Sequence, residues 1–227
     1  MSTEIQSQRK SASLFSAGIS SQSIYDKFLY LIEDLNLQGD CLDFGAGVGI
    51  LSNLAQDSGQ FKSFTATDLM PCPDNINKSI TWIEWDLNES LHLSDQQFDV
   101  ILSSEVIEHL ENPRDVIREW FRLLRPHGTL IFSTPNNESW RSLLALVVQG
   151  HFVAFGDSSY PAHITALLRK DIERILAETG FIKQKIIFTD FGKIPKLPKL
   201  NYQKFSFGLL KGVRYSDNLL VVAKRSI

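Results

Sequence analysis

Short β-rich runs alternate with helical patterns along most of this chain, and no other feature constrains its fold so strongly. Parallel strands need long crossover connections, usually helices, so this order predicts an α/β, doubly wound and mostly parallel sheet. Seven strands are predicted, at residues 40–44, 63–67, 80–85, 98–103, 129–133, 181–189 and 218–223. The clearest helical patterns lie at residues 23–35, 114–124, 138–148 and 170–179.

The two ends of the chain depart from this alternation. Residues 1–18 are rich in Ser and Gln without a periodic apolar pattern, which predicts a flexible N-terminal arm before a single domain at residues 19–227. A long stretch without a clear helix, 191–215, separates the last two strands. This connection predicts that the final strand is antiparallel and lies at the edge of the sheet.

The composition is that of a globular chain. Of 227 residues, 43% are hydrophobic and 22% charged, and the longest apolar run, 143–148, is far shorter than the roughly 20 residues of a membrane span. The polar N-terminus lacks the apolar segment of a secretion signal, and the two cysteines, Cys41 and Cys72, favour neither a disulfide framework nor a zinc site. We therefore expect a protein of the reducing cytoplasm.

The net charge of −3 is unevenly distributed. Residues 1–190 hold 15 basic and 25 acidic residues, whereas residues 191–227 hold eight basic residues and a single acid, Asp217. Alternating basic and apolar residues over 193–214 are typical of contact with an anionic membrane surface, or with a phosphorylated or lipid-linked ligand. A solvated basic loop explains the pattern equally well, and the acidic remainder argues against nucleic acid.

A glycine-rich turn, Gly45-Ala46-Gly47-Val48-Gly49, follows the first strand and opens a helix. Glycines let the chain turn sharply and let a ligand approach the backbone, at the sheet edge where such folds bind nucleotides. A dinucleotide fingerprint would need its third glycine at Ile50, and Asp43 would repel a pyrophosphate. A cationic sulfonium tolerates that carboxylate, so the turn favours S-adenosylmethionine over NAD. A strand–helix turn without a ligand is the alternative.

Two more acids end the next two predicted strands. Asp68 closes the second strand, where a carboxylate can accept from both ribose hydroxyls. Asp86 closes the third, where it can accept from the adenine amino group. Either residue alone could cap a helix, but three acids at three successive strand ends, counting Asp43, are better explained by a nucleoside ligand.

These motifs resemble those of class I S-adenosylmethionine-dependent methyltransferases. The resemblance rests on CLDFGAGVG, TATDL, WIEWDL and FDVILSSEVIEHLENPRDVIREWFRLLRPHGTLIFSTPN, and it extends over residues 22–190. It is strongest to the group that contains ubiquinone-biosynthesis and cell-surface-sugar O-methyltransferases, and it implies their Rossmann-like fold and their cofactor. The cofactor contacts that it implies are Asp43, Gly45, Ala46, Gly47, Gly49, Asp68, Leu69, Asp86, Leu87, Ser103 and Ser104.

The candidate catalytic residues, Glu105, Glu108 and His109, follow the fourth strand. In a helix these three side chains share one face, beside the expected sulfonium. His109 could act as a general base, the three could bind Mg²⁺, Mn²⁺ or Zn²⁺, or they could have only a structural role. A similar Glu-x-x-Glu-His cluster holds a metal in small-RNA 2′-O-methyltransferases and in quinol O-methyltransferases, and that resemblance implies His163 as a fourth ligand.

The same resemblance predicts the acceptor. We expect the hydroxyl of a small molecule or glycan, with a sugar ranked first, a quinol-like phenol second and RNA third. The segment at residues 138–165 resembles a lid over the acceptor pocket. A cofactor-binding module without catalysis is the alternative from another functional class, and the complete set of motifs argues against it.

Overall fold

The structure, a computed structural model, describes residues 3–16, 18–195 and 197–227. The helices in these ranges are α1 (Thr3–Ser16), α2 (Gln22–Asp34), α3 (Ile50–Asp57), α4 (Pro113–Leu123), α5 (Trp140–Gln149), α6 (Arg169–Thr179) and α7 (Tyr202–Phe205). The strands are β1 (Gly39–Phe44), β2 (Phe61–Asp68), β3 (Ile80–Glu84), β4 (Phe98–Ser104), β5 (Leu124–Pro135), β6 (Phe181–Phe188), β7 (Lys193–Ile194), β8 (Leu197–Asn201) and β9 (Asn218–Arg225).

Seven of these strands form one sheet in the order β3-β2-β1-β4-β5-β9-β6. Strand β9 pairs antiparallel with both β5 and β6, and the other pairs in this sheet are parallel. The predicted α/β, mostly parallel sheet with an antiparallel last strand is confirmed. The prediction that the last strand lies at the edge of the sheet is wrong, because β9 lies between β5 and β6. The reason is the apolar run 219–223, which is buried throughout and needs cover on both faces of the sheet.

Apolar side chains form a core on each face of the sheet. Trp120 of α4 and Ile172 of α6 belong to one cluster, and Phe28 of α2 and Leu51 of α3 belong to the other. Side chains alternate between the faces along β1, as expected for a strand covered on both sides. This packing fixes the carboxyl ends of β1, β2 and β4 next to one another.

The N-terminal stretch, for which the sequence predicts a flexible arm without a periodic apolar pattern, contains the helix α1. Its Ser- and Gln-rich sequence supports a helix only weakly. Arg9 supplies tertiary contacts, because its guanidinium donates to Asp86 and Glu89 after β3 and to Glu111 after β4. The helix is therefore stabilised by the domain on which it lies, which sequence periodicity alone could not indicate.

The connection between β6 and β9 contains the short hairpin of β7 and β8 and the helix α7, where no helix is predicted. Gln203 of α7 donates to the carbonyl oxygens of Leu210 and Tyr215, both at 2.8 Å, which ties the helix to the following loop. Lys196, part of the predicted basic segment, lies outside the described residues. Among the helices in the described ranges, none is both long enough and apolar enough to cross a membrane.

Candidate functional site

A cavity of about 670 Å³ opens at the carboxyl ends of β1, β2 and β4. This is the edge at which open α/β sheets bind ligands. One face of α1 lines its other side, including Arg9 and Ala12. The predicted site residues that line it are Asp43, Gly45, Ala46, Gly47, Asp68, Leu69, Asp86, Leu87, Ser104, Glu105, His109 and His163.

The glycine turn lines the cavity and also packs against the backbone of neighbouring segments. The amides of Gly45 and Ala46 both donate to the carbonyl oxygen of Thr67, at 2.9 and 3.0 Å. Gly47 has a φ of 57°, and a Cβ there would lie 2.3 Å from the carbonyl oxygen of Gly18. Glycine is therefore required at position 47 because the segment before α2 crosses the turn.

Three of the predicted residues do not line this cavity. Gly49 begins α3 with a φ of 79°, and a Cβ there would lie 2.5 Å from the side chain of Ile76. The hydroxyl of Ser103 donates to the carbonyl oxygen of Phe44 at 2.8 Å, which links β4 to β1. Both residues thus contribute to the backbone next to the cavity without lining it. Glu108 is buried beside the cavity rather than on its surface.

Asp43 is buried at the end of β1 and has a single hydrogen bond among the described residues, from the Ser52 hydroxyl at 2.6 Å. Its other carboxylate oxygen has no partner in the described part of the chain. Burial, together with the nearby charge of Asp68, raises the pKa of Asp43 to about 7. A cationic group bound in the cavity would therefore stabilise the ionised form of this carboxylate.

Asp68 and Asp86 are already engaged in the structure. Asp68 accepts from the amides of Gly47 and Met70 at 2.8 and 2.9 Å, so it holds the glycine turn while lining the cavity. Burial raises the pKa of Asp68. Asp86 accepts from Arg9 Nη1 at 2.8 Å. Arg9 is a site residue that sequence analysis missed, since nothing in the Ser-rich N-terminal stretch connects it with residues 77 positions away.

Residues 105–109 do not form the regular helix in which Glu105, Glu108 and His109 would share one face. Glu105 has a left-handed φ of 56°, and only Ile107–His109 forms a 3₁₀ turn. The predicted helical face is therefore absent. The charge of Glu105 nevertheless raises the pKa of the buried Glu108, after the larger effect of burial.

A carboxylate–imidazole cluster consists of Glu108, His109 and His163, whose ligand atoms lie within 4.8 Å of one another. His109 Nδ1 lies 2.9 Å from the carbonyl oxygen of Ala162, a pure acceptor, so Nδ1 carries the proton and Nε2 has the lone pair. Glu108 Oε1 and His163 Nδ1 are buried without hydrogen-bond partners among the described residues. Of the four residues predicted as metal ligands, Glu108, His109 and His163 thus lie together, and Glu105 is not part of this group.

Burial dominates the electrostatics of this cluster. It raises the pKa of Glu108 well above the ordinary range, and the negative charge of Glu105 adds to the effect. Burial and the neighbouring His163 lower the pKa of His109 to about 4. The neutral imidazole of His109, together with Glu108 Oε1 and His163 Nδ1, which have no hydrogen-bond partner among the described residues, forms a donor set that fits a divalent cation.

Glu105 contacts the two neighbouring strands β5 and β9. Ser133 Oγ donates to Glu105 Oε1 at 3.0 Å, and Asn218 Nδ2 donates to Oε2 at 2.7 Å. Loss of solvation raises the pKa of Glu105 to about 7. Asn218 also lines the cavity, and sequence analysis missed it because its role depends on β9 lying next to β5.

A second cavity, of about 290 Å³, adjoins the first. Glu105, His163 and Asn218 line both cavities, whereas none of the three strand-end aspartates lines the second. Residues 158–164, within the predicted lid, line the first cavity. Glu105 and His163 therefore lie where a ligand bound by the aspartates would meet a ligand in the second cavity.

Comparison with known proteins identifies a related family. A sequence profile described as "Methyltransferase domain" matches residues 18–185. The chain is 23% identical over 163 residues to a ubiquinone biosynthesis O-methyltransferase of Psychrobacter arcticus, covering 68% of this chain and 63% of that protein. It is 30% identical over 153 residues to the mitochondrial ubiquinone biosynthesis O-methyltransferase of Schizosaccharomyces pombe, covering 62% and 54%. The chain thus spans less than two thirds of these relatives' length.

Solved structures share the fold at low sequence identity. A SAM-dependent methyltransferase from Archaeoglobus fulgidus superimposes with a TM-score of 0.62 at 18% identity, over 89% of this chain and 93% of that one. The N-methyltransferase NodS from Bradyrhizobium japonicum, in complex with S-adenosyl-L-homocysteine, gives a TM-score of 0.54 at 18% identity, over 89% and 85%. At this identity the likeness concerns the fold alone.

Proposed function

The chain belongs to the methyltransferase-domain family, and on that basis we propose that it transfers the methyl group of S-adenosylmethionine to a hydroxyl oxygen of a small-molecule acceptor. One observation carries the proposal. The cavity that is lined by Asp43, Asp68 and Asp86 is also lined by His109 and His163 of the carboxylate–imidazole cluster. Binding groups for a nucleoside and groups able to handle a hydroxyl proton are thus brought together.

At one end of the cavity, the chain's own residues would bind and orient the cofactor. Asp43, with a buried carboxylate oxygen that has no hydrogen-bond partner among the described residues, would face a cationic group of the cofactor. Asp68 and Asp86 would accept from hydroxyl and amino groups of the nucleoside, in charge-assisted hydrogen bonds. When bound, S-adenosylmethionine supplies an electrophilic methyl group on a sulfonium. Positioning of the acceptor and exclusion of water would account for most of the rate.

At the acceptor end, the chain has to hold or remove a hydroxyl proton. His109 has an unprotonated Nε2, because its Nδ1 is committed to the carbonyl oxygen of Ala162. We propose that Glu108, His109 and His163 hold a divalent cation such as Mg²⁺, Mn²⁺ or Zn²⁺, with Glu105 beside them. Such an ion would supply a Lewis acid that lowers the pKa of an acceptor hydroxyl.

A phenol is the acceptor that we favour. Sequence analysis ranks a glycan first, but that order rests on overall resemblance alone. Both curated relatives named above are O-methyltransferases of ubiquinone biosynthesis, which favours the quinol-like phenol ranked second. A phenol, with a pKa near 10, also needs less activation than an aliphatic hydroxyl.

Formation of S-adenosylhomocysteine tests the activity. Alkyl-substituted catechols, methyl glycosides and a short RNA are compared as acceptors, with Mn²⁺ present and with a chelator. We expect turnover with the catechol, and a loss of about a hundredfold or more in kcat for His109→Ala. The control is His127→Asn, a surface residue with a φ of 66° that Asn tolerates. Turnover with the glycoside alone would overturn the choice of acceptor, and no turnover with any acceptor would overturn the activity.

Metal binding is tested separately by calorimetric titration of Mn²⁺ into protein saturated with S-adenosylhomocysteine. We expect one site in the wild type that is lost in Glu108→Gln and in His163→Ala. Gln at 108 retains the volume of the buried side chain but cannot ionise to a carboxylate, so a loss of binding is not a packing effect. Absence of binding to the wild type would exclude the cation and leave His109 alone to accept the proton.

A further inference from the structure

Helix α5 exposes an apolar stripe to solvent. Trp140, Leu144, Val147 and Val148 are all exposed, and their spacing places them on one side of the helix. Val147 is 84% exposed, whereas Ala145 on the other side is buried. An amphipathic helix normally turns its apolar side to the core, so this stripe is unusual for a monomer in water.

The connection that follows β8 exposes large apolar side chains among lysines. Phe207 is 96% exposed and Leu209 is 85% exposed. Phe205 is also exposed, as are three lysines at positions 199, 204 and 211. Monomeric soluble proteins rarely expose several apolar side chains of this size within one short segment.

These two segments meet at Trp140 and Arg214, and we call their exposed residues together the apolar–basic patch. It consists of the exposed side of α5 and residues 197–214 within the described ranges. The amide of Trp140 donates to the carbonyl oxygen of Arg214 at 3.0 Å. The Arg214 guanidinium lies 5.3 Å from the centre of the Trp140 ring, and it donates to the carbonyl oxygen of Glu138 at 2.7 Å. The start of α5 is thus joined to the end of the lysine-rich connection.

We propose that the apolar–basic patch binds the surface of an anionic lipid bilayer. Its charge supports this occupant, because residues 197–214 hold four basic residues (Lys199, Lys204, Lys211 and Arg214) and no acid, in a chain whose residues 1–190 are acidic overall. A second copy of the chain would bring two basic patches together, at a cost in like-charge repulsion. A partner protein is disfavoured because interface cores are depleted in lysine. Aromatic and aliphatic side chains interleaved with lysines are what an anionic interface binds.

The position of the patch relates it to the site. Residues next to the patch line the second cavity: Arg141 of α5, and Phe191 and Lys193 shortly before β8, lie there together with Glu105 and His163. A bilayer at the patch would therefore border the acceptor side of the protein. This relation rests on the proposed function, but binding to lipid does not. Vesicle binding is measured without cofactor or acceptor, so either proposal can fail while the other holds.

Co-sedimentation with vesicles tests the proposal on the whole chain. Vesicles of phosphatidylcholine alone are compared with vesicles in which phosphatidylglycerol replaces part of it. We expect binding to the anionic vesicles only, and release at about 0.5 M salt, where the Debye length falls to about 4 Å. Each of Lys199→Ala, Lys204→Ala and Lys211→Ala should lower partitioning about fivefold.

Apolar variants separate insertion from charge attraction alone. Phe207→Ser and Val148→Ser should each weaken binding at least about tenfold, since each loses a side chain that would be buried in lipid. Tyr30→Ser is the matched control, because Tyr30 is an exposed aromatic residue on α2 outside the patch. Equal binding to both vesicle types, no binding, or a dimer that Phe207→Ser converts to monomer would each overturn the proposal. The dimer would assign the patch to a second copy instead.

Discussion

The three strand-end aspartates have different hydrogen-bond partners, and these decide how each can meet a ligand. Asp68 is held by two backbone amides, and Asp86 is paired with Arg9. Asp43 accepts only from Ser52 among the described residues, and its pKa is raised to about 7 by burial. Of the three, Asp43 is the carboxylate whose charge should depend most on the ligand.

At this scale we predict that S-adenosylmethionine binding depends on the ionisation of Asp43. Below about pH 7 the unbound protein carries Asp43 protonated, and a cationic ligand must displace that proton. Affinity should therefore rise with pH, by up to about tenfold per unit below pH 7, and level off above it. Calorimetry between about pH 6 and pH 8 measures this, and it should show proton release on binding.

The substitution Asp43→Asn should flatten this profile, because Asn can still accept from Ser52 but does not titrate. Asp40→Asn is the matched control on the same strand, since Asp40 is paired with Arg125 and has a lowered pKa. It should leave the profile unchanged. A pH-independent affinity in the wild type, or the wild-type profile in Asp43→Asn, would contradict the assignment.

Two elements, α1 and β9, owe their place to contacts with distant segments. Helix α1 lies before the part of the chain that the family profile matches, yet it lines the cavity beside the strand-end acids. Its Arg9 is the one residue of α1 with ion pairs among the described contacts, to acids that follow β3 and β4. The helix can therefore cover a bound ligand, while Arg9 joins the helix to the acids that follow β3 and β4.

At the scale of the element we predict that Arg9→Met loosens α1. Met retains most of the apolar stem and removes the charge-assisted hydrogen bonds, which are each stronger than neutral ones. S-Adenosylhomocysteine should dissociate about tenfold faster in a stopped-flow experiment, and α1 should become sensitive to limited proteolysis. Arg114→Met is the control, because it breaks an exposed ion pair with Glu178. An unchanged dissociation rate would mean that α1 does not cover the ligand.

Across the whole molecule, the cavity joins segments that are far apart in the chain. Its walls come from α1, the glycine turn, the ends of β2 and β4, and residues 158–164. A ligand that touches all of them binds only the folded protein. Ligand affinity is therefore linked to the free energy of unfolding.

At this scale we predict a thermal shift. S-Adenosylhomocysteine at about 100 times its Kd should stabilise the protein by about 2.7 kcal/mol, which raises Tm by about 5–10 °C for a chain of this size. NADH should leave Tm unchanged, because the glycine turn lacks the dinucleotide spacing. Asp68→Asn, with a weakened glycine turn and ribose contact, should show a smaller shift with S-adenosylhomocysteine. A shift with NADH would contradict the choice of cofactor class.

The class of sheet, the glycine turn and the acids at the strand ends could all be predicted from the sequence. These features depend on local patterns of burial and backbone conformation, which a few adjacent residues encode. The position of β9 inside the sheet, the position of α1 on the cavity and the contact of Asn218 with Glu105 appear only in the folded structure. Each of these brings together residues far apart in the chain. Such contacts are selected by packing and by the pairing of buried polar groups, not by local sequence.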